Sequence, residues 1–181
     1  MPHIDLLDLP YFSGITEADL LSLVDAMEPC QFSPGMAIYD EGGPPPPLYI
    51  ATAGTIEILK RGPDGKSRRL AELDSPTLVG EIELFCRIAA VSTARALSRV
   101  SAFALTRPAF DSLFAAAHPA LTRFTLNVAS VSCARLAIAD EMLTHMLDSA
   151  DLAKLRRAVF SRHHQRDGWD NTTGVFTRPK Q

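Results

Sequence analysis

Two hydrophobic periodicities divide the chain. Leu20, Leu21, Leu23 and Val24 make one face of a helix, and they follow Thr16, an N-cap residue with a carboxylate, Asp19, three positions on. A first helix ending near Met27 is predicted. From Cys30 to Thr106 the repeat shortens to that of strands, with runs at Gln31–Phe32, Met36–Tyr39, Leu48–Ala51, Thr55–Lys60, Arg68–Leu73, Ser92–Leu97 and Val100–Leu105. Gly35, Gly42–Gly43, Gly54 and the turn Gly62-Pro-Asp-Gly65 separate them. Short runs punctuated in this way predict a small antiparallel sandwich or barrel. Gly62 to Gly65 marks a hairpin, because proline presets one turn residue and glycine supplies a positive φ without steric cost.

The pattern turns helical again at Arg107-Pro108, where proline fits the first helical position, and continues through Phe110, Leu113 and Phe114. Pro119 restarts it. No glycine or proline interrupts Ala120 to Leu147, which predicts one long helix. Two apolar stripes run along it. One is Leu121, Phe124, Val128, Val131, Arg135, Ile138, Met142 and His145 at near-heptad spacing; the other is Leu126, Ala129, Cys133, Leu136, Leu143 and Leu147. A helix with two apolar faces needs cover on two sides. The barrel can take one, and a second copy of the helix the other, so a homodimer through 121–146 is expected. Ser149 is placed to cap a further short helix to about Ser161, and His163 to Gln181 is too short and weakly patterned for another domain. The expected organisation is a barrel with flanking helices over 1–117, a dimerisation helix over 118–148, and a short basic helix with a polar tail over 149–181.

Composition narrows the class. The chain is 46% hydrophobic and 22% charged, the balance of a globular protein with a core and not of a disordered one. No apolar stretch reaches the ~20 residues that span a bilayer. The opening Met1-Pro-His-Ile-Asp5 has neither the basic start nor the apolar run of a signal peptide, so a cytoplasmic protein with no membrane partner is expected. Cys30, Cys86 and Cys133 lack disulfide or zinc spacing and read as free thiols. The net charge of −3 speaks against a chain that binds nucleic acid over its whole surface. The C-terminus is the exception: 151–181 carries seven Lys or Arg against three Asp, a solvated basic face or a tail for a protein partner.

Several short motifs then fall into a recognisable order. Leu9-Pro-Tyr-Phe-Ser-Gly14 precedes the first helix, Phe32-Ser-Pro-Gly35 forms a strand turn, and Glu41-Gly42, Leu48-Tyr49-Ile50, Ala53-Gly54 and Gly80-Glu81 follow. Together they resemble the cyclic nucleotide-binding domain of catabolite-activator and FNR-type regulators and of cyclic-nucleotide-regulated kinases and channels, over about residues 9–147. The resemblance implies a cupin-like antiparallel β-barrel, of the double-stranded β-helix or jelly-roll kind, with a long C-terminal dimerisation helix. It also implies a cyclic nucleotide ligand such as cAMP or cGMP, held in a phosphate-binding cassette from Gly80 to Arg95. The ligand-binding residues it implies are Gly80, Glu81, Ile82, Ala90, Val91, Ser92 and Thr93. In that frame Gly80 lets backbone approach the ligand, and the Glu81 carboxylate accepts the ribose 2′-OH.

Two departures qualify the expectation. The family cassette carries an arginine for the cyclic phosphate, in a pattern like R-x-A-[ST]-V-R-A, and here Ala90, or Val91 after a one-residue shift, holds its place. A charge-assisted Arg–phosphate bond contributes about 1.5–3 kcal/mol, so its loss weakens a cyclic monophosphate by tenfold or more. Arg87 and Arg95 are the nearby cations that could compensate. The transcription factors of the family also follow the dimer helix with a winged helix-turn-helix, and the 34 residues after Leu147 hold no such pattern, so no sequence-specific DNA binding is expected. An enzymatic use of the barrel, as in metal-dependent cupins, requires histidines on its strands. His3, His118, His145, His163 and His164 all lie outside them, and no G-x-S-x-G or Walker loop is present, so neither catalysis, a cofactor nor a metal is expected. The sequence thus reads as a regulatory ligand-binding module with a degenerate cassette, or as a ligand-free dimeric interaction module.

Overall fold

A computed structural model describes residues 4–154, 169–170 and 175–176. The chain divides into two compact units, Met1–Val128 and Ala129–Gln181. In the first, two 310 turns (Ile4–Asp8 and Pro10–Phe12) lead into α1 (Glu17–Asp25). Thr16 caps α1 as its sequence predicts, its hydroxyl accepting the Asp19 N–H at 3.2 Å. Strands β1 (Glu28–Phe32), β2 (Ala37–Tyr39), β3 (Leu48–Ala53), β4 (Thr55–Arg61), β5 (Ser67–Asp74) and β6 (Thr77–Val79) come next. A six-residue helix, α2 (Glu81–Cys86), separates them from β7 (Thr93–Ala96) and β8 (Val100–Leu105), after which α3 (Arg107–Ala115) and α4 (Pro119–Met146) begin.

The strands form two four-stranded antiparallel sheets, ordered β1-β8-β3-β6 and β2-β7-β4-β5. This is the mainly antiparallel β architecture with flanking helices that the strand-period runs predict. The Gly62–Gly65 turn joins β4 to β5: Gly62 N–H donates to the Lys66 carbonyl and Gly65, at φ +76°, to the Gly62 carbonyl, both at 2.9 Å. β6 was not anticipated, since three residues are too few to leave a period. It pairs Thr77, Leu78 and Val79 with Ala51, Ile50 and Tyr49, and so delivers the chain to Gly80 at the edge of the first sheet.

Alternation along each strand sorts the side chains into two apolar layers. Ile38, Ala51, Ile56, Val79, Ala94, Ala96, Val100 and Ala102 form one buried cluster, with Phe32, Tyr39 and Tyr49 packed against it. Leu48 and Ile50, on the other side of β3, are fully buried together with Leu6, Phe12, Leu20, Leu23, Leu105, Leu121 and Phe124. The Phe12 and Phe124 rings stack at 5.2 Å. Asn127 adds a polar tie, its amide nitrogen donating to the carbonyls of Tyr11 (3.0 Å) and Ser13 (2.8 Å). The start of the first predicted stripe of α4 is thus core of the first unit.

In the second unit the apolar residues of α4 face solvent: Leu136, Ile138, Met142 and Met146 are each more than half exposed. Helix resumes at 149. Its cap is Asp148 and not the expected Ser149, because the Asp148 carboxylate accepts the N–H groups of Ala150 (2.9 Å) and Asp151 (2.8 Å), and a charged acceptor makes the stronger cap bond. Most of the predicted basic helix and tail lies outside the described residues. Within the stretch read as unpatterned, β9 (Trp169–Asp170) pairs antiparallel with β10 (Val175–Phe176). Among the described residues no helix is long and apolar enough to cross a membrane.

Candidate ligand site

The segment between β6 and β7 is where the resemblance places a ligand, and its backbone geometry starts from Gly80. This residue sits at φ +89°, and a Cβ there would come within 2.5 Å of the Pro47 carbonyl oxygen. The close approach that demands glycine is therefore to the chain's own Pro47. Gly80 is the N-cap of α2, which ends after six residues at Arg87, itself left-handed at φ +53°. Glu81, the first residue of α2, is half-buried, and Ile82 is exposed.

Glu83 is not among the ligand-binding residues that the resemblance implies. Its side chain is 2% exposed, and its Oε1 accepts the backbone N–H of Val91 at 2.8 Å. Glu81 and Glu83, two positions apart, point to different sides of α2, but six residues are too few for the sequence to show which of them turns inward. The Tyr39 phenol lies close enough to feel both acids: burial raises its pKa first, and the charges of Glu83 and then Glu81 raise it further. Ser92, buried, hydrogen-bonds the Tyr39 side chain. Tyr39, packed against the inter-sheet cluster, thus lies within electrostatic reach of Glu83 and Glu81.

The other predicted residues are tied into the same backbone. Ala90, 3% exposed, donates its N–H to the Gly43 carbonyl (3.1 Å) and accepts from Gly42 N–H (2.8 Å). The Val91 carbonyl accepts a hydrogen bond from the Lys60 ammonium. Lys60 also pairs with Glu41 at 2.7 Å. Glu41 in turn accepts the Arg61 N–H (2.8 Å) and donates its own N–H to the Thr93 hydroxyl (2.9 Å). The bonds from Lys60 and from the Arg61 N–H hold the Glu41 carboxyl below its ordinary pKa. Lys60, missed in the sequence because it lies on β4, far along the chain, is thus one cation that reaches the cassette backbone.

The two nearby arginines that could compensate are each engaged with a carboxylate. Arg95 lies 3.7 Å from Glu57, which also pairs with Arg69 at 2.9 Å, and Arg87 lies 3.7 Å from Asp111. On the side of α2 toward α3, Arg107 donates to the Leu84 carbonyl at 2.9 Å, pairs with Asp111 at 2.6 Å and lies over the Phe110 ring. That guanidinium fastens the short helix of the cassette to α3. Among the described residues, no group of three His, Cys, Asp or Glu is placed to hold a metal ion.

This geometry can be set beside known proteins. Residues 29–117 match the family model of the cyclic nucleotide-binding domain. The CRP-like cAMP-activated global transcriptional regulator of Mycobacterium tuberculosis is 29% identical over 104 residues, 58% of this chain and 46% of its own length, so the chain spans about half of that relative. The catabolite activator protein of Thermus thermophilus shares the fold with a TM-score of 0.70 at 23% identity, over 76% of this chain and 63% of its own. A regulatory subunit of a cAMP-independent protein kinase A from Trypanosoma brucei, a triple mutant bound to cAMP in its A site, gives a TM-score of 0.61 at 27% identity, over 70% of this chain and 44% of its own. The two-sheet barrel and these matches agree: over residues 29–117 the chain matches the cyclic nucleotide-binding domain.

Proposed function

We propose that this protein is a regulatory module of the cyclic nucleotide-binding type whose cassette discriminates against cyclic monophosphates. The observation that carries the reading is the buried Glu83 carboxylate on the Val91 N–H, beside an apolar Ala90. A cyclic phosphate monoanion placed against that backbone meets a fixed negative charge where the family supplies a guanidinium, and like charges in a desolvated site repel strongly. The Trypanosoma brucei protein offers a parallel. Its cAMP-bound mutant carries a glutamate-to-alanine change and, seven and eight residues on, threonine-to-arginine and valine-to-alanine changes. Glu83, Ala90 and Val91 have the same spacing here. Output would pass through Arg107, since any movement of α2 pulls on the Leu84 carbonyl and so on α3.

Calorimetry with cAMP and cGMP tests the reading on the wild type and on Glu83→Ala/Ala90→Arg/Val91→Ala. The wild type should give weak or undetectable binding and the triple variant a gain of at least tenfold. Micromolar or tighter binding of either cyclic nucleotide by the wild type would overturn it. If neither protein binds, the barrel is closed, and a ligand-free dimeric interaction module takes its place.

A further inference from the structure

We infer that the cassette takes an uncharged ligand of the ribonucleoside class, whose free sugar hydroxyls donate to Glu83 and Glu81; this rests on the reading above and names the ligand of the same site. The argument begins with hydrogen-bond capacity. A carboxylate accepts only, with about four lone-pair sites on its two oxygens, and the bond from the Val91 N–H uses one site on Glu83 Oε1. At 2% exposure the group is cut off from bulk water, so any further donor it meets forms a charge-assisted bond in a low dielectric. A 3′,5′-cyclic phosphate has both sugar oxygens esterified and brings acceptors and a negative charge. The parent nucleoside brings O–H donors at both oxygens and no charge. Acceptors against donors is the matched pairing, and the same carboxylate that repels the first ligand recruits the second.

The surroundings fit the rest of such a molecule. Tyr39, within electrostatic reach of both acids, stays protonated and hydrogen-bonds Ser92, so a phenol and a hydroxyl accompany the carboxylates. Tyr39 also belongs to an aromatic wall: Tyr39 and Tyr49 stack with centroids 6.5 Å apart, and Phe32 meets Tyr49 edge-on at 5.6 Å. The side chains across the inter-sheet cluster include Ala51, Ala94, Ala96 and Ala102. Small side chains facing an aromatic wall suit a flat base lying along that wall.

The test is binding of adenosine, guanosine, inosine and uridine to the full chain by thermal shift and calorimetry, beside cAMP, 3′-deoxyadenosine and 5′-deoxyadenosine. At least one nucleoside should raise the melting temperature and bind at least tenfold more tightly than cAMP, and its deoxy analogue should lose tenfold or more. Glu83→Ala should lose nucleoside binding by a similar factor, with circular dichroism confirming that the variant is folded; the deoxy comparison on the wild type stands independently of it. Absence of any nucleoside binding, or binding indifferent to both deoxy changes, overturns the inference. Should the triple variant then bind cAMP while the wild type binds neither class, this inference fails and the discrimination against cyclic phosphates stands. Micromolar cAMP binding by the wild type would instead sink the reading on which it rests.

Discussion

The carboxylate of Glu83, on α2, accepts the backbone N–H of Val91, the residue where the family pattern allows an arginine, at 2.8 Å. A bond of this kind supports the fold as well as shaping the site. Removing a charged acceptor from a partly buried N–H costs about 1–3 kcal/mol. Glu83→Ala should lower the free energy of urea unfolding by that amount, and Glu83→Gln by less, because an amide oxygen still accepts. Equal stability of all three proteins would show that the bond is made at no net advantage.

Glu41 predicts a pH dependence. Its carboxyl pKa is depressed in the folded protein by the Lys60 bond and the Arg61 N–H. The contribution it makes is therefore complete above the unfolded pKa, about 4.3 for a glutamate, and is lost as pH falls through the lower folded value. The stability gap between wild type and Glu41→Gln should be widest near neutrality and shrink in acid, measured by urea unfolding across that range. A gap that stays constant or grows in acid contradicts the assignment.

Gly80 and Gly35 both adopt a positive φ, +89° and +81°, but differ in what surrounds them. Alanine at Gly35 meets nothing within 4 Å, so Gly35→Ala should cost only the left-handed penalty of about 1–2 kcal/mol. Alanine at Gly80 would also strike the Pro47 carbonyl oxygen at 2.5 Å. Gly80→Ala should cost about 3 kcal/mol or more, and melting curves of the two variants compare them directly. Similar losses would mean that the Pro47 loop yields freely.

The exposed apolar residues of α4 carry the prediction of self-association. Ile138 is 59% exposed and Val131 is partly so, on the stripe expected to meet a second copy. Light scattering should find a dimer for the wild type and a monomer for Val131→Glu/Ile138→Glu. A wild-type monomer, or a dimer unmoved by both charges, would refute it.

Much of this protein follows from local rules that the sequence alone obeys. The Thr16 cap, the Gly62–Gly65 hairpin, the strand runs and the uninterrupted helix after Pro119 depend on neighbours within a few residues, and all were legible. So was the missing arginine, because Ala90 and Val91 cannot carry charge in any fold. What the sequence could not reveal depends on residues far apart in the chain. β6 was hidden because its partner on β3, not its own three residues, makes it a strand. Lys60 reaches the Val91 carbonyl across 31 positions, and Arg95 and Arg87 were open candidates until Glu57 and Asp111 were found beside them. Glu83 shows the limit most clearly. A six-residue helix has too few turns to display a face, so only the packing of α2 against the barrel decided that this carboxylate turns inward, where charge is expensive and therefore selective.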